Sequence, residues 1–416
     1  MDKKFKTDVS WNMISFIIIG ISGIILNILI GNFYGASYLG VFNLIFAVYI
    51  FLSQIAVFGI HQSTLKYIAH THDPEEISHI GYSALILTSA IALFVTLISM
   101  NLSSFLGSLF SSQEVENSWT YLAIGLFFFA MNKTLLSIIN ALRHMKFFAI
   151  SQALRYLLAV SILTVFISTG VSGEKLGYII SISEIILFIF LIIYVIKELG
   201  VISFSKMQNW FKKHLYFGWH SLLGGIMGEI NTRVDILVLG IFVSDSQVGI
   251  YTIALMIFEG FVQLTVVFRN NFNPIISKML HEDRLTDLKE MILKGKRKVY
   301  IGLSSLIVVS LLLYPFFIDL FLGDEYKPSI LLYYILISGV LVSAGYLPFN
   351  MILTQAGKPF QQSLYFSSLV VGNIILNLIL IASFGMTGAA IATASVYILN
   401  IFILKYLVKK NIGILI

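Results

Sequence analysis

The stretch Gly31-Asn-Phe-Tyr-Gly-Ala-Ser-Tyr-Leu-Gly-Val-Phe42 recurs as Gly240-Ile-Phe-Val-Ser-Asp-Ser-Gln-Val-Gly-Ile-Tyr251, at an offset of 209 residues without a gap. Each copy separates two long apolar runs. A second echo lies near the end of each half, where Leu176-Gly177-Tyr-Ile-Ile answers Thr387-Gly388-Ala-Ala-Ile at an offset of 211. A third and weaker one relates Asn140–Phe147 to Leu353–Phe360. Matching segments at matching places in two halves are a mark of membrane transporters. They divide the chain into an N-terminal lobe, residues 1–200, and a C-terminal lobe, residues 201–416.

Composition agrees. Of 416 residues 58% are hydrophobic and 12% charged, and the mean hydropathy is +0.91. A soluble domain carries about 25% charged residues, so these charges are too few to cover the surface of a water-soluble enzyme or to keep a chain disordered. With no cysteine, a disulfide framework, a thiolate metal site and a cysteine nucleophile are excluded. The basic start Met1–Lys6 runs into an apolar segment of full spanning length without an A-x-A-type cleavage site, so no cleavable signal is expected.

Twelve apolar segments are expected as transmembrane helices, at 11–31, 38–60, 80–106, 118–142, 151–169, 176–196, 216–242, 248–269, 299–322, 329–354, 363–383 and 386–408. They are twice as long as barrel strands and lack period-2 alternation. With the N-terminus in the cytoplasm, 22 of the 27 Lys and Arg residues fall on the cytoplasmic side. Lys175 and Lys327 fall outside, and Lys133, Arg155 and Arg233 lie within segments. This asymmetry predicts an even number of helices and a multi-pass membrane protein with both termini in the cytoplasm. The net charge of +6 is thereby a topology signal, and no nucleic-acid partner is expected. The run Lys294–Lys298 reads as an anchor of this kind, with acidic lipid headgroups as its sharper alternative. Two connectors, Leu199–His214 and Asn273–Lys298, read as amphipathic helices at the interface.

The glycines take physical roles. At Gly40 and Gly249, just inside a short external turn, the missing Cβ is expected to permit a tight helix entry or left-handed backbone. Gly218, Gly224, Gly225 and Gly228 permit close helix contact. Pro315 and Pro348 are expected to kink their helices.

These residues resemble a known family. Two six-helix halves, the Gly-[Val/Ile]-[Phe/Tyr] motif opening helices 2 and 8, and Asn231-Thr-Arg-Val-Asp-Ile-Leu-Val-Leu-Gly240 closing helix 7 resemble the Wzx-type polysaccharide (O-antigen) flippases of the multidrug/oligosaccharidyl-lipid/polysaccharide exporter superfamily. The resemblance covers the whole chain as layout, while its sharper motifs occupy only the helix 1–2 and 7–8 regions. It implies two lobes around a central cavity, alternating access, and an oligosaccharide carried on undecaprenyl pyrophosphate. Membrane lipid, a polysaccharide polymerase and assembly proteins are its implied partners. The first half departs from the motif, since the offset places Arg233 on Ile24 and Asp235 on Leu26. Lipid II flippases of this superfamily usually have fourteen helices, against twelve here.

A charge at bilayer depth costs about 2.5–3.5 kcal/mol on insertion scales, so each one calls for an account. Arg233 is the leading candidate for contact with a pyrophosphate, which guanidinium binds in bidentate fashion. Lys133 has a similar case. Arg155, Arg143 and Arg269 stand nearer the cytoplasmic interface, where they can snorkel or line the mouth of a cavity. Glu229 and Arg233, four residues apart, share a helix face. Glu229, Asp235 and Glu259 are candidates for ion coupling or for structural pairs, and for Asp235 a hydrogen bond within the lobe is preferred. Glu184 reads as a satisfied bundle residue. Asn12, Asn27, Asn43, Gln54, Asn132, Asn140, Asn373 and Asn377 serve interhelical hydrogen bonds or sugar hydroxyls. His61, His70, His72 and His79 lack metal-ligand spacing. No P-loop, G-x-S-x-G or H-E-x-x-H occurs, so neither cofactor nor catalytic residues are expected. External loops under about 12 residues leave no room for the catalytic domain of a glycolipid enzyme. The rival transporter is a multidrug exporter, whose cationic cargo would ask for an acidic cavity.

Overall fold

A computed structural model describes residues 3–200 and 207–416, without the side chains at 3–6, 223, 228, 230 and 231. The lobe boundary expected at 200/201, and the readings placed on Lys3, Lys4, Lys6, Phe204, Lys206, Gly228 and Asn231, lie wholly or partly outside these described residues.

The first half of the chain forms α1 (Lys3–Val57), α2 (Ile60–Ala69), α3 (Pro74–Met100), α4 (Ser103–Phe110), α5 (Gln113–Ala123), α6 (Gly125–Ala141), α7 (Met145–Thr169) and α8 (Gly177–Leu199). Then follow α9 (Met207–Phe242), α10 (Asp245–His281), α11 (Leu285–Phe321), α12 (Pro328–Ser343), α13 (Ile352–Gln355) and α14 (Pro359–Ile412). Among the described residues every regular element is helical. Among the described residues eight helices are long and apolar enough to cross a membrane, or nine if α5 and α6, bent by 47° to each other, make one span. The protein is thus an all-α, multi-pass membrane protein. The chain parts into two compact units, Met1–Thr232 and Arg233–Ile416.

Two of the eight are hairpins. A helix of 55 residues would rise about 80 Å, far beyond a hydrocarbon core of about 30 Å. In α1 the continuity breaks at Gly35, with φ 81° and ψ 172°. Asn27 and Asn43, eight residues to either side, then meet, the Asn43 amide donating to the Asn27 carbonyl at 3.0 Å. The 54-residue α14 breaks likewise at Gly385, φ 55°, and the Tyr365 hydroxyl then reaches Asn400 across the hairpin. Here Gly388 is obligatory, because a Cβ would collide with the Leu380 carbonyl oxygen. Its repeat partner Gly177 is equally constrained, since a Cβ there would lie 2.6 Å from the Ser118 carbonyl oxygen.

The glycine reading needs correction at the first repeat. The left-handed residue is Gly35, whereas Gly40 and Gly249 lie within helices and outside the positive-φ set. A sharp reversal needs one residue free of the Cβ penalty, and Gly35 supplies it. Gly218 does permit close approach, a Cβ there running into the Phe58 carbonyl oxygen, but Gly224 faces open space.

Two other expectations change. Pro348 does not kink a helix: α12 ends at Ser343, and Pro348 sits in the 3-10 turn Leu347–Phe349, where its missing N–H costs no helical bond. Pro315 does lie inside α11. The connector Asn273–Lys298 is not a separate interfacial helix. It forms the end of α10 and the start of α11, joined by a turn at Asp283 with φ 53°. Its apolar face is used within the second unit, as Ile276, Leu288 and Ile292 are fully buried with Phe349, Ile352 and Leu353. That burial outweighs exposure to lipid headgroups.

The cysteine-free chain allows a direct test of topology. Single substitutions Gln113→Cys and Lys294→Cys, both at exposed positions, are expected to label differently in intact cells. A membrane-impermeant maleimide should modify the first, and the second only after permeabilisation. Equal labelling of both in intact cells would refute the assigned sidedness.

Candidate functional site

In the first unit the polar side chains converge on α6. Asn132 and Lys133 follow one turn after Phe129, so all three occupy neighbouring parts of one helix surface. Glu184 of α8, 1% exposed, accepts from the Asn132 amide at 2.8 Å. It also forms an ion pair with Arg155 of α7, Nε to Oε1 at 2.7 Å. A second guanidinium nitrogen donates to the other carboxylate oxygen at 3.2 Å. This bidentate arrangement satisfies a charge that burial alone would expel. The guanidinium also lies over the Phe129 ring, 4.8 Å from its centroid.

Lys133 approaches the same ring, with Nζ 5.3 Å from the centroid. Its side chain is half-buried, yet among the described residues no carboxylate lies within 4.0 Å of it. Glu229, the carboxylate on α9, is instead engaged by Gln54 of α1, whose amide donates to it at 3.1 Å. Lys133 is therefore a cation held by an aromatic face and left with its hydrogen-bonding capacity open.

The second unit has its own cluster. Arg233 of α9 stands 4.0 Å from Glu259 of α10, both partly exposed. Asp235 is buried, and accepts the Tyr251 hydroxyl at 2.7 Å and the backbone N–H of Ile236 at 2.9 Å. This is the hydrogen bond within the lobe preferred from the sequence. On α14, Asn377 donates to the Asn373 carbonyl groups of side chain and backbone at 2.7 and 2.9 Å.

The remaining candidates stand apart. Arg143 is exposed, at the left-handed turn between α6 and α7 with φ 59°. Arg269 is half-buried on α10. Arg155 does not behave as a snorkelling residue, because its guanidinium is spent on Glu184. Sequence reasoning missed Phe129, the ring shared by two cations, and Tyr251, the partner of Asp235. A signal for Tyr251 existed. The 209 offset that maps Asp235 onto Leu26 maps Tyr251 onto Phe42, so the polar pair in one half is an apolar pair in the other.

The described residues thus combine an all-helical, multi-pass fold with intramembrane carboxylates that are each engaged by a hydrogen bond or an ion pair. Comparison with known proteins gives the family. The model of the family described as "Polysaccharide biosynthesis protein" matches residues 5–260, and the chain belongs to that family. Two curated relatives come from Haloferax volcanii. The probable flippase AglR is 28% identical over 391 residues, covering 89% of this chain and 76% of its own. The probable low-salt glycan biosynthesis flippase Agl15 is 23% identical over 372 residues, covering 88% and 75%. Among solved structures, an inward-facing multidrug resistance MATE family transporter of the MOP superfamily superposes with a TM-score of 0.78, 14% identity, and 92% of each chain covered. The lipid II flippase MurJ in an inward closed conformation gives 0.75 and 17%, covering 95% of this chain and 87% of its own. At these identities the structures show the shared fold.

The Asp235–Tyr251 bond can be tested through the repeat. Tyr251→Phe should destabilise the protein by about 1–3 kcal/mol, by leaving a buried carboxylate short of a donor. Combining it with Asp235→Leu recreates the Leu26/Phe42 pair of the first half, and should recover most of the lost thermal stability in detergent. A double variant less stable than Tyr251→Phe alone would contradict the structural assignment of Asp235.

Proposed function

We propose that this protein is a flippase of glycan biosynthesis, moving a lipid-linked oligosaccharide across the membrane by alternating access of its two halves. The observation that carries the reading to an anionic cargo is the state of the intramembrane charges. Glu184, Glu229, Asp235 and Glu259 each have a partner at hydrogen-bond or ion-pair distance, whereas Lys133 lies against an aromatic ring and, among the described residues, has no carboxylate within 4.0 Å. A drug exporter for cations would need an available carboxylate. A phosphate or pyrophosphate linker needs a cation, and ammonium and guanidinium groups supply it. Family membership and two relatives named as flippases support the same reading, and their names also support transport in place of catalysis.

In its finer form the cargo is an oligosaccharide on undecaprenyl pyrophosphate, carried from the cytoplasmic to the outer leaflet for surface polysaccharide assembly. In this reading Lys133 and Arg233 contact the pyrophosphate. Arg155 holds the Phe129 ring and Glu184 in place, and Arg143 and Arg269 meet the headgroup nearer the cytoplasm. Glu229, Asp235 and Glu259 orient those cations or exchange ions with them. Twelve crossings, with the hairpins at Gly35 and Gly385 counted as two each and α9 added to the other spans, would put both termini in the cytoplasm of a bacterial cell. A polymerase and assembly proteins would receive the product.

Losing one charge-assisted hydrogen bond costs about 1.5–3 kcal/mol, at least about tenfold in affinity. In a deletion strain, full-length lipid-linked oligosaccharide should accumulate by mass spectrometry and surface glycan should disappear. Re-expressed Lys133→Gln or Arg233→Ala, present in the membrane at normal level, should restore less than about a tenth of wild-type transport. Full restoration by both variants would remove these cations from the binding role. Unchanged lipid-linked pools in the deletion strain would overturn the flippase reading.

A further inference from the structure

The second unit carries a cationic cluster that the transport reading does not use. Lys296 of α11 and Lys405 of α14 are more than a hundred residues apart in sequence, yet both ammonium groups lie over the ring of Tyr346. Lys296 is 3.5 Å and Lys405 4.9 Å from its centroid. Among the described residues neither has a carboxylate within 4.0 Å, while neighbouring Lys294 is paired with Glu290 at 2.5 Å. Two cations this close sit inside a Debye length of about 8–10 Å and repel each other unscreened.

The site is constructed. Helix α12 ends at Ser343, and its freed Val342 carbonyl takes the Tyr300 hydroxyl at 2.7 Å. Tyr300 can lie there because residue 345 is glycine, where a Cβ would run into the Tyr300 ring. The Tyr346 N–H donates to the Ser343 carbonyl at 2.8 Å, which fixes the backbone that carries the ring. Farther into the apolar run of α14, one turn from Lys405, Phe402 is 62% exposed. Charge at the rim with exposed apolar surface beyond it is the profile of an anionic lipid, phosphate outside and acyl chains within.

The geometry points to a binding site for the phosphate of an anionic membrane phospholipid, made by Lys296, Lys405 and the Tyr346 hydroxyl. It is independent of the cargo and of the flippase reading. The same phosphate chemistry occurs in a soluble pyrophosphate, and the exposed Phe402 beside Lys405 assigns the site to the lipid.

Native mass spectrometry of the purified full-length protein, titrated with phosphatidylglycerol and separately with phosphatidylcholine, tests this. Each lysine contact with an anionic lipid is worth about 1 kcal/mol, so Lys296→Gln with Lys405→Gln should weaken phosphatidylglycerol binding by about twenty- to thirtyfold. Phosphatidylcholine binding should not change. Lys296→Arg with Lys405→Arg should retain binding, which separates lost charge from lost fold. Lys289→Gln with Lys294→Gln, outside the cluster, should match the wild type. Equal phosphatidylglycerol affinity in the Gln variant and the wild type would overturn the site, and so would an equal loss with the Arg variant. Displacement of phosphatidylglycerol by millimolar inorganic pyrophosphate would overturn its assignment to lipid.

Discussion

The first unit depends on the neutralisation of Glu184. A carboxylate 1% exposed in the middle of an apolar helix is tolerable only with its oxygens filled, and α6 and α7 fill them through Asn132 and Arg155. Breaking a buried pair of this kind by removing one partner costs about 3–5 kcal/mol. The pair also sets the position of Phe129, because the Arg155 guanidinium rests on its ring. That ring in turn carries Lys133. One ion pair thus orients an aromatic platform, and the platform holds Lys133, which among the described residues has no carboxylate within 4.0 Å.

The two halves solve the same assembly problem with different chemistry. Each opens with a helical hairpin cross-linked by side chains sixteen residues apart. In the first half the link is Asn27 with Asn43, neutral and closed by a glycine reversal at Gly35. In the second it is Asp235 with Tyr251, shifted by one position and carrying a carboxylate. The shift leaves Leu26 and Phe42 apolar and buried in the first half. The repeat preserves the hairpin and its glycines at 177 and 388, where carbonyl oxygens leave no room for a side chain. It does not preserve the charges, which are concentrated differently in the two units.

Much of the fold was legible in the sequence, because apolar length, turn glycines and basic loops report directly on the physics of spanning a bilayer. The breaks were less so. Gly35 and Gly40 are both plausible reversal points in the pattern, and only the pairing of Asn27 with Asn43 places the turn midway between those two asparagines, at Gly35. Pro348 read as a kink because hydropathy runs through the end of α12 without interruption. The amphipathic stretch Asn273–Lys298 has the composition of an interfacial helix, but its apolar face meets Phe349, Ile352 and Leu353, far away in sequence. The charged residues of the candidate site were all visible as intramembrane charges. Their partners were not: Arg155 and Glu184 belong to successive helices of different register, and Tyr251 looked like an ordinary aromatic in a repeat.

The central claim is that this chain itself moves a lipid-linked oligosaccharide between leaflets. It is tested most directly in proteoliposomes of purified protein loaded with isolated lipid-linked oligosaccharide. The fraction of glycan reachable by an added, membrane-impermeant glycosidase is followed with time. The account predicts that protein-containing vesicles expose the protected half of the glycan far faster than protein-free vesicles. Equal rates in the two kinds of vesicle, with correctly inserted protein, would contradict it.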